Sequence, residues 1–357
     1  MKKIGIDARS LEGQRTGVGR YLINIIQQWN KLNLPKDLEF ILYFKKEIPK
    51  DIPKAKNFKK KILKSKSNAL FVHYFLSRAA KKDKVDVLFC PAYVAPIFFK
   101  GKIALTLHDI IYEARPDLYN WPSIFDKILL KKVSKISAKK AKIIFTPSNF
   151  CKNEIIKYYR VKPEKIFVTP LATDIEKGKK DISHIVKGKY IFYIGSILKR
   201  RYIPEIVKAF KRACGELVEP YQFLIIGKNC INLDLNQKGI IHKEYIDEKY
   251  LGSLYANADL FIWLSEYEGF GLPPLEAMTY GTPVITTKAG SLPETVGNAA
   301  LFIENPKNIK EIRRKINMVL NNKELREKLI KKGLEQTKKF SWQKTASETL
   351  RIMNKEL

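Results

Sequence analysis

Apolar residues fall in short runs along this chain, separated by longer stretches in which they recur every three or four positions. The runs at residues 3–8, 40–44, 85–91, 103–108, 143–147 and 166–170 have the length and composition of strands. Stretches such as 19–29, 124–141 and 149–159 carry the helical period between them. Continuous apolar strands alternating with helices predict a parallel sheet covered on both faces. After the charged stretch 176–189 the pattern restarts, with strands at 190–196, 222–227, 240–245, 260–265 and 284–287, while 214–221 reads as a loop. The expected fold is therefore α/β, with two doubly wound Rossmann-like domains at 1–175 and 176–340 and a short tail at 341–357. Ligands of such sheets bind beyond the carboxyl ends of the strands, so two such domains facing one another would enclose an interdomain cleft.

Composition agrees with two cores: 357 residues, 45% of them hydrophobic, exceed what one core supports. No apolar run approaches the roughly 18 residues that a membrane span needs. Met1, Lys2 and Lys3 run straight into the first strand, so no signal peptide is expected and the chain reads as cytoplasmic. Cys90, Cys151, Cys214 and Cys230 lack metal-site or disulfide spacing. Charge changes the picture more. The formal net charge is +31, and residues 1–175 hold 36 Lys and Arg against 15 Asp and Glu. The excess concentrates in residues 45–66 and 131–142, where lysines alternate with small and apolar residues. Such a surface suits an anionic membrane leaflet, to which each basic group contributes about 1 kcal/mol; a solvated lysine-rich surface is the alternative. No nucleic-acid-binding signature accompanies the charge.

The densest candidate chemistry lies at 265–283, S-E-Y-E-G-F-G-L-P-P-L-E-A-M-T-Y-G-T-P. Glu268 and Glu276 stand eight positions apart around a glycine-rich turn, and Pro273 and Pro274 suit the first turn of a helix. Free N–H groups at such a helix start would favour a phosphate, with the two acids accepting hydrogen bonds from sugar or ribose hydroxyls. Arg200 and Arg201 follow the strand ending at 196, where two guanidinium groups could clamp a diphosphate. Near the amino terminus, R-T-G-V-G-R at 15–20 precedes a helix; Gly17 is the candidate for close approach to a phosphate or sugar, with Gly19 supporting the turn. His108 and Asp109 end the strand at 103–108, where side chains of this architecture project toward ligands. His73, His184 and His242 have no such setting. No D-x-D occurs, so a carboxylate-held metal on the diphosphate is not expected.

These pieces occur in a familiar order: I-G-I-D-A-R at 4–9, T-G-V-G-R-Y at 16–21, L-H-D at 107–109, F-T-P-S at 145–148, Y-I-G-S at 193–196 before K-R-R, A-D-L-F at 258–261, the double-glutamate segment, G-S-L-P-E-T-V-G-N-A-A at 290–300 and F-S-W at 340–342. Over nearly its whole length the chain resembles glycosyltransferase family 4, retaining enzymes of the GT-B fold, and within it the mannosyltransferase-like members. The resemblance implies that Glu268 binds the donor sugar, Glu276 the ribose, and backbone groups of Gly269, Phe270, Gly271 and Leu272 the sugar or phosphate. It also implies that Arg200 and Arg201 contact the diphosphate, that His108 lies near the reacting sugar with Asp109 serving the acceptor or His108, and that the tail crosses back to the first, acceptor-side domain. Tyr202 stands where relatives often have Asn, Leu264 where they have Pro, Glu266 where a nonpolar residue is common and Asn298 where Asp is frequent.

The expected activity is metal-independent, retaining transfer of a hexose such as mannose. The donor would be a GDP- or UDP-linked sugar and the acceptor a glycan or lipid-linked oligosaccharide of a surface polysaccharide, on the inner face of the cell membrane. A GT-B sugar-nucleotide epimerase and a non-catalytic, membrane-associated nucleotide-sugar-binding protein are the alternatives.

Overall fold

In a computed structural model, all residues are described except Thr16, Asn120, Pro122, 174–179 and 215–219, and only the backbone is described for Ile124, Phe125, Asp126, Leu129 and Cys214. The expected 175/176 domain boundary, the start of the 176–189 stretch, most of the 214–221 loop, the Cys214 thiol and Thr16 of the glycine turn therefore lie outside the described residues. The chain divides into two compact units, Met1–Leu171 with Ser341–Leu357, and Ala172–Phe340.

The first unit holds seven parallel strands, β1 (Lys2–Asp7), β2 (Leu38–Phe44), β3 (Phe58–Ile62), β4 (Val87–Cys90), β5 (Lys102–Thr106), β6 (Ile143–Thr146) and β7 (Ile166–Val168), in the order 3-2-1-4-5-6-7. The second holds six, β8 (Lys189–Ile194), β9 (Tyr221–Ile226), β10 (Ile240–Lys243), β11 (Leu260–Trp263), β12 (Val284–Thr287) and β13 (Ala300–Ile303), in the order 10-9-8-11-12-13. Both are doubly wound, Rossmann-like sheets. In each, strand order reverses once, between β1 and β4 and between β8 and β11, and this reversal opens a crevice at the carboxyl ends of the strands.

Two strands escape the sequence pattern. β3 reads F-K-K-K-I, and its lysines mask the strand signal; they occupy a sheet edge, where Lys59 pairs with Glu39 at 2.6 Å and Lys61 with Asp83 at 2.5 Å. Charge on an edge strand blocks pairing with another chain. β13 is only four residues long and begins at the last residue of the 290–300 motif, with only its two ends fully buried.

Helix Gly17–Lys31 packs its apolar stripe, with Tyr21, Leu22, Ile25, Ile26 and Trp29 all buried, beneath the first sheet. Trp29 stacks on Phe40 at 4.9 Å and donates its indole N–H to the Ala346 carbonyl at 2.8 Å. Ala346 belongs to the terminal helix Trp342–Asn354, which Ser341 starts by accepting from the Lys344 N–H. The last 17 residues thus complete the core of the first unit rather than trailing from the second.

Gly19 is fixed by space. A Cβ there would stand 2.2 Å from the Ser10 carbonyl oxygen, a backbone atom that cannot swing away. Gly19→Ala should lower stability by about 1–3 kcal/mol, the usual cost of forced overpacking, seen as an earlier urea midpoint; an unchanged midpoint would show that the turn at 9–11 yields freely.

Candidate active site

In the second unit the chain leaves β11 at Trp263 and enters the glutamate segment at the strand-order reversal. Thr287, at the end of neighbouring β12, anchors it. Its hydroxyl accepts from the Ser265 N–H at 3.1 Å and donates to the Ser265 carbonyl at 2.7 Å. Three residues on, the Glu268 carbonyl accepts both the N–H and the hydroxyl of Ser291, at 3.1 and 3.0 Å. Gly290 makes this seat possible: its φ is +60°, and a Cβ would meet the Glu268 carbonyl oxygen at 2.4 Å. Phe270, nearly buried, packs its edge on Phe340 at 5.5 Å, and its carbonyl accepts the Thr295 hydroxyl.

Across the crevice, β8 leads into the short turn Lys199–Arg201. Arg201 donates to the Glu268 carboxylate, and its guanidinium lies 4.0 Å from the centre of the Trp263 ring. Trp263 in turn stacks on Tyr193 at 5.3 Å. The two side chains of the ion pair are 11% and 12% exposed, so the pair is largely withdrawn from water. Arg200 differs: its carbonyl accepts the Glu266 N–H at 3.1 Å and its side chain is half-buried. Sequence reading treats both arginines as one diphosphate clamp; the structure couples Arg201 to Glu268, the expected sugar-binding acid. Tyr202 holds φ at 55° in the left-handed region, a conformation that Asn adopts more readily than Tyr, which gives the Tyr–Asn difference a physical meaning.

Glu276 lies on helix Leu272–Thr279 and is only 3% exposed. The Tyr255 hydroxyl donates to its Oε2 at 2.8 Å, and Tyr255 stacks on Tyr280 at 5.7 Å with the rings nearly parallel. The helix start needs a correction. Gly271 is the N-cap, Pro273 and Pro274 have no N–H, and the Leu275 N–H turns back to the Gly271 carbonyl at 3.4 Å. Of the first four helical donors only that of Leu272 remains for a ligand, fewer than the sequence reading supposes.

In the first unit His108 follows β5 and donates through Nε2 to the Pro91 carbonyl at 3.1 Å, with the Tyr21 ring edge-on at 4.8 Å. The carbonyl can only accept, so Nε2 carries the proton and Nδ1 keeps a lone pair. Burial pushes the imidazole down to about 4, with the Pro91 bond opposing; near neutral pH the ring is uncharged and can accept but not act as a cation. Asp109 accepts the Ile111 N–H at 3.1 Å, starting a short helix. Gly17 opens its helix with no heavy atom within 4 Å of a notional Cβ, leaving that backbone approachable. His73 lines a cavity, His184 meets the Tyr250 ring and His242 bonds the Gly227 carbonyl at 2.9 Å.

Sequence reasoning misses Tyr255, Trp263 and Gly290. Tyr255 precedes the A-D-L-F motif by three positions and carries no signal that its hydroxyl reaches Glu276. Trp263, one of only four tryptophans in the chain, is the visible anomaly.

Two family profiles match the chain in tandem, "Glycosyltransferase Family 4" over residues 15–177 and "Glycosyl transferases group 1" over 174–336. The chain belongs to these glycosyltransferases and groups with their mannosyltransferase-like members. Among its relatives is the O-antigen chain mannosyltransferase B of Escherichia coli, 30% identical over 69% of this chain and 68% of that one. The serotype-specific mannosyltransferase WbdA of the same species is 28% identical over 69% of this chain but only 32% of its own greater length. Solved structures with the same fold include sucrose-phosphate synthase of Thermosynechococcus elongatus, with a TM-score of 0.74 at 15% identity, covering 99% of both chains. A glycosyltransferase of Rickettsia africae scores 0.70 at 17% identity, covering 99% of this chain and 98% of that one.

The His108 ring makes a pH prediction. Its folded-state value lies below the ordinary 6.5, so between pH 6.5 and about 4 the unfolded chain binds a proton that the folded chain refuses, and stability falls with acidification across that window. Against His108→Gln, the wild type should lose on the order of 3 kcal/mol more between pH 7 and 4; parallel pH profiles would mean that the ring titrates freely.

Proposed function

We propose that this chain is a retaining, metal-independent hexosyltransferase, moving a sugar such as mannose from a nucleotide diphosphate sugar to a glycan or lipid-linked oligosaccharide during surface polysaccharide synthesis. The observation that carries the reading is the second unit's pair of acids. Glu276 is held by Tyr255 deep at a helix start, as a ribose-binding carboxylate would be, and Glu268 is locked to Arg201 at the strand-order reversal. The mannosyltransferases of O-antigen chains among its relatives favour mannose. Solved neighbours bound to UDP or UDP-glucose, at 14% identity, favour a nucleotide-sugar donor without choosing its base.

In this reading Glu276 accepts the ribose hydroxyls, and Glu268 accepts from the donor sugar, with the backbone of Gly269 to Leu272 alongside. Arg200 and Arg201 offset charge developing on the leaving diphosphate. Gly17 gives close backbone approach to phosphate or sugar. The neutral His108 accepts a sugar hydroxyl through Nδ1, and Asp109 serves the acceptor or orients His108. Metal independence rests on the absence of D-x-D and on the arginines taking the metal's electrostatic role. Labelled nucleotide sugars with a glycan acceptor, run with and without EDTA, test this. Transfer to product of retained configuration, unchanged by EDTA, is expected. Glu276→Gln should raise the donor KM about tenfold, one charge-assisted hydrogen bond. Hydrolysis or isomerisation without transfer would contradict the assignment.

Membrane association belongs to the same proposal. No helix of the described residues is long and apolar enough to cross a membrane. On helix Ile124–Lys140, Ile128 and Ile136 are 49% and 48% exposed beside the exposed Lys132 and Lys139, an apolar and basic strip suited to a headgroup layer. Lys131 instead binds Glu113 at 3.1 Å, and Lys140 donates to the Ile97 carbonyl. Replacing Lys132, Lys135 and Lys139 with Gln should therefore release most of the low-salt sedimentation with anionic vesicles; equal sedimentation with neutral vesicles would remove the membrane from the account.

A further inference from the structure

Three of the motifs in this chain meet at one side chain. Tyr21 closes T-G-V-G-R-Y, His108 is the centre of L-H-D and Trp342 closes F-S-W. In the folded first unit the centre of the Tyr21 ring lies 4.8 Å from that of His108 and 6.2 Å from that of Trp342. Neither Tyr21 nor Trp342 has a part in the chemistry described above.

A ligand-binding imidazole needs such neighbours. The torsion that turns the ring about its Cβ–Cγ bond is broad, so the side chain itself selects no ring plane, whereas useful site geometry tolerates only about 10–20° of misorientation. Among the described residues the His108 ring makes one hydrogen bond, from Nε2 to the Pro91 carbonyl, which sets the tautomer and fixes one corner. The plane is left to the flanking rings. Tyr21 stands at 82° to it, and Tyr93 at 72° with 6.3 Å between centres; aromatic pairs at such separations favour this edge-to-face packing. The Cys151 thiol donates to the His108 carbonyl at 3.3 Å, so the backbone is tied as well.

Tyr21 is itself held, and does not follow the imidazole. It is buried, and its hydroxyl lies 3.4 Å from that of Thr106, at the end of β5. Burial pushes the phenol up to about 12, so it stays neutral and supplies a wall, not a proton. Trp342, also buried, packs against it as the first residue of the terminal helix. The first turn of that helix is anchored by the Ser341 cap and by the Thr345 hydroxyl, which donates to the Pro170 carbonyl at 2.5 Å. His108 alone of the three is partly exposed, so a ligand can reach it.

We propose that Tyr21, seated by Trp342, is a positioning residue for His108: it keeps the imidazole plane fixed so that Nδ1 offers its lone pair in one direction. The terminal helix is thereby a working part of the His108 site and not only a cover for the core. The assignment rests on the reading of His108 as a contact to the reacting sugar.

Long-range proton–nitrogen NMR on the full chain with isotope-labelled histidine reads the ring directly, and His108→Gln assigns its signals among those of the four histidines. Wild type should give one His108 species near neutral pH, protonated on Nε2. Tyr21→Leu should split or broaden those signals as the ring samples other planes. In steady-state transfer with the nucleotide sugar that the wild type turns over, the same variant should lose kcat by about tenfold to a hundredfold at a donor KM within about twofold, the cost of misplacing a reacting group by up to about 1 Å. Trp342→Leu should do the same more weakly, and it carries the test if Tyr21→Leu does not fold. Tyr21→Phe keeps the ring and should rescue both readouts. Ile26→Ala, a buried change on the same helix, should lower the urea midpoint and leave the His108 signals and kcat as they are. A single sharp His108 species with wild-type kcat in the Leu variants overturns the proposal. So does a loss of kcat in Ile26→Ala equal to that in Tyr21→Leu, which would make the effect one of stability. If no nucleotide sugar is turned over, the transferase reading fails on its own, and the NMR decides: split signals in Tyr21→Leu that Tyr21→Phe restores support the positioning, and unchanged signals overturn it.

Discussion

The ion pair between Arg201 and Glu268 is the interaction around which the second unit's site is arranged. A carboxylate this far withdrawn from water needs a partner, since an unpaired charge there is penalised by several kcal/mol. Arg201 supplies it, and Trp263 supplies the flat surface that keeps the guanidinium from rotating away. The surrounding design follows. Tyr202, in the left-handed region, closes the short turn that carries Arg201. Gly290 gives up its side chain, and Ser291 donates twice, so that the Glu268 backbone sits at one depth. A ligand entering this site meets charges already aimed, with little reorganisation left to do.

Glu276 shows a second solution to the same problem. Its carboxylate accepts from one phenol, Tyr255, whose ring stacks on Tyr280. One acid thus meets a guanidinium and the other a phenol. In the proposed function the first would face a sugar beside a diphosphate and the second neutral ribose hydroxyls. In the first unit, Asp7 and Arg9 repeat the paired arrangement at the other strand-order reversal.

Much of the fold is legible in the sequence because parallel strands buried on both faces leave long apolar runs, as at 40–44, 143–147 and 260–265. β3 is hidden because an edge strand needs charge and its three lysines look like surface. β13 is hidden because four residues at the end of a loop motif carry too little pattern. The glutamates, arginines and His108 are visible as unusual residues at strand ends. Their pairings are not: Arg201 reaches Glu268 across 67 positions and the Tyr255 hydroxyl reaches Glu276 across 21, and only the folded chain sets those distances. The helix start fails for a local reason, since the prolines that announce it also remove the N–H groups that would make it an anion site.

That Arg201 and Glu268 recognise the donor as one unit can be tested by a double-mutant cycle on donor affinity. Calorimetry would compare Arg201→Gln, Glu268→Gln and the double variant against wild type. If each side chain holds the other in place, either single change disables both, and the double variant binds the donor no more weakly than the worse single, a coupling of at least about 1 kcal/mol. Effects that add within about 0.5 kcal/mol would mean that the two groups act independently, and that their pairing in the free protein has no part in recognition.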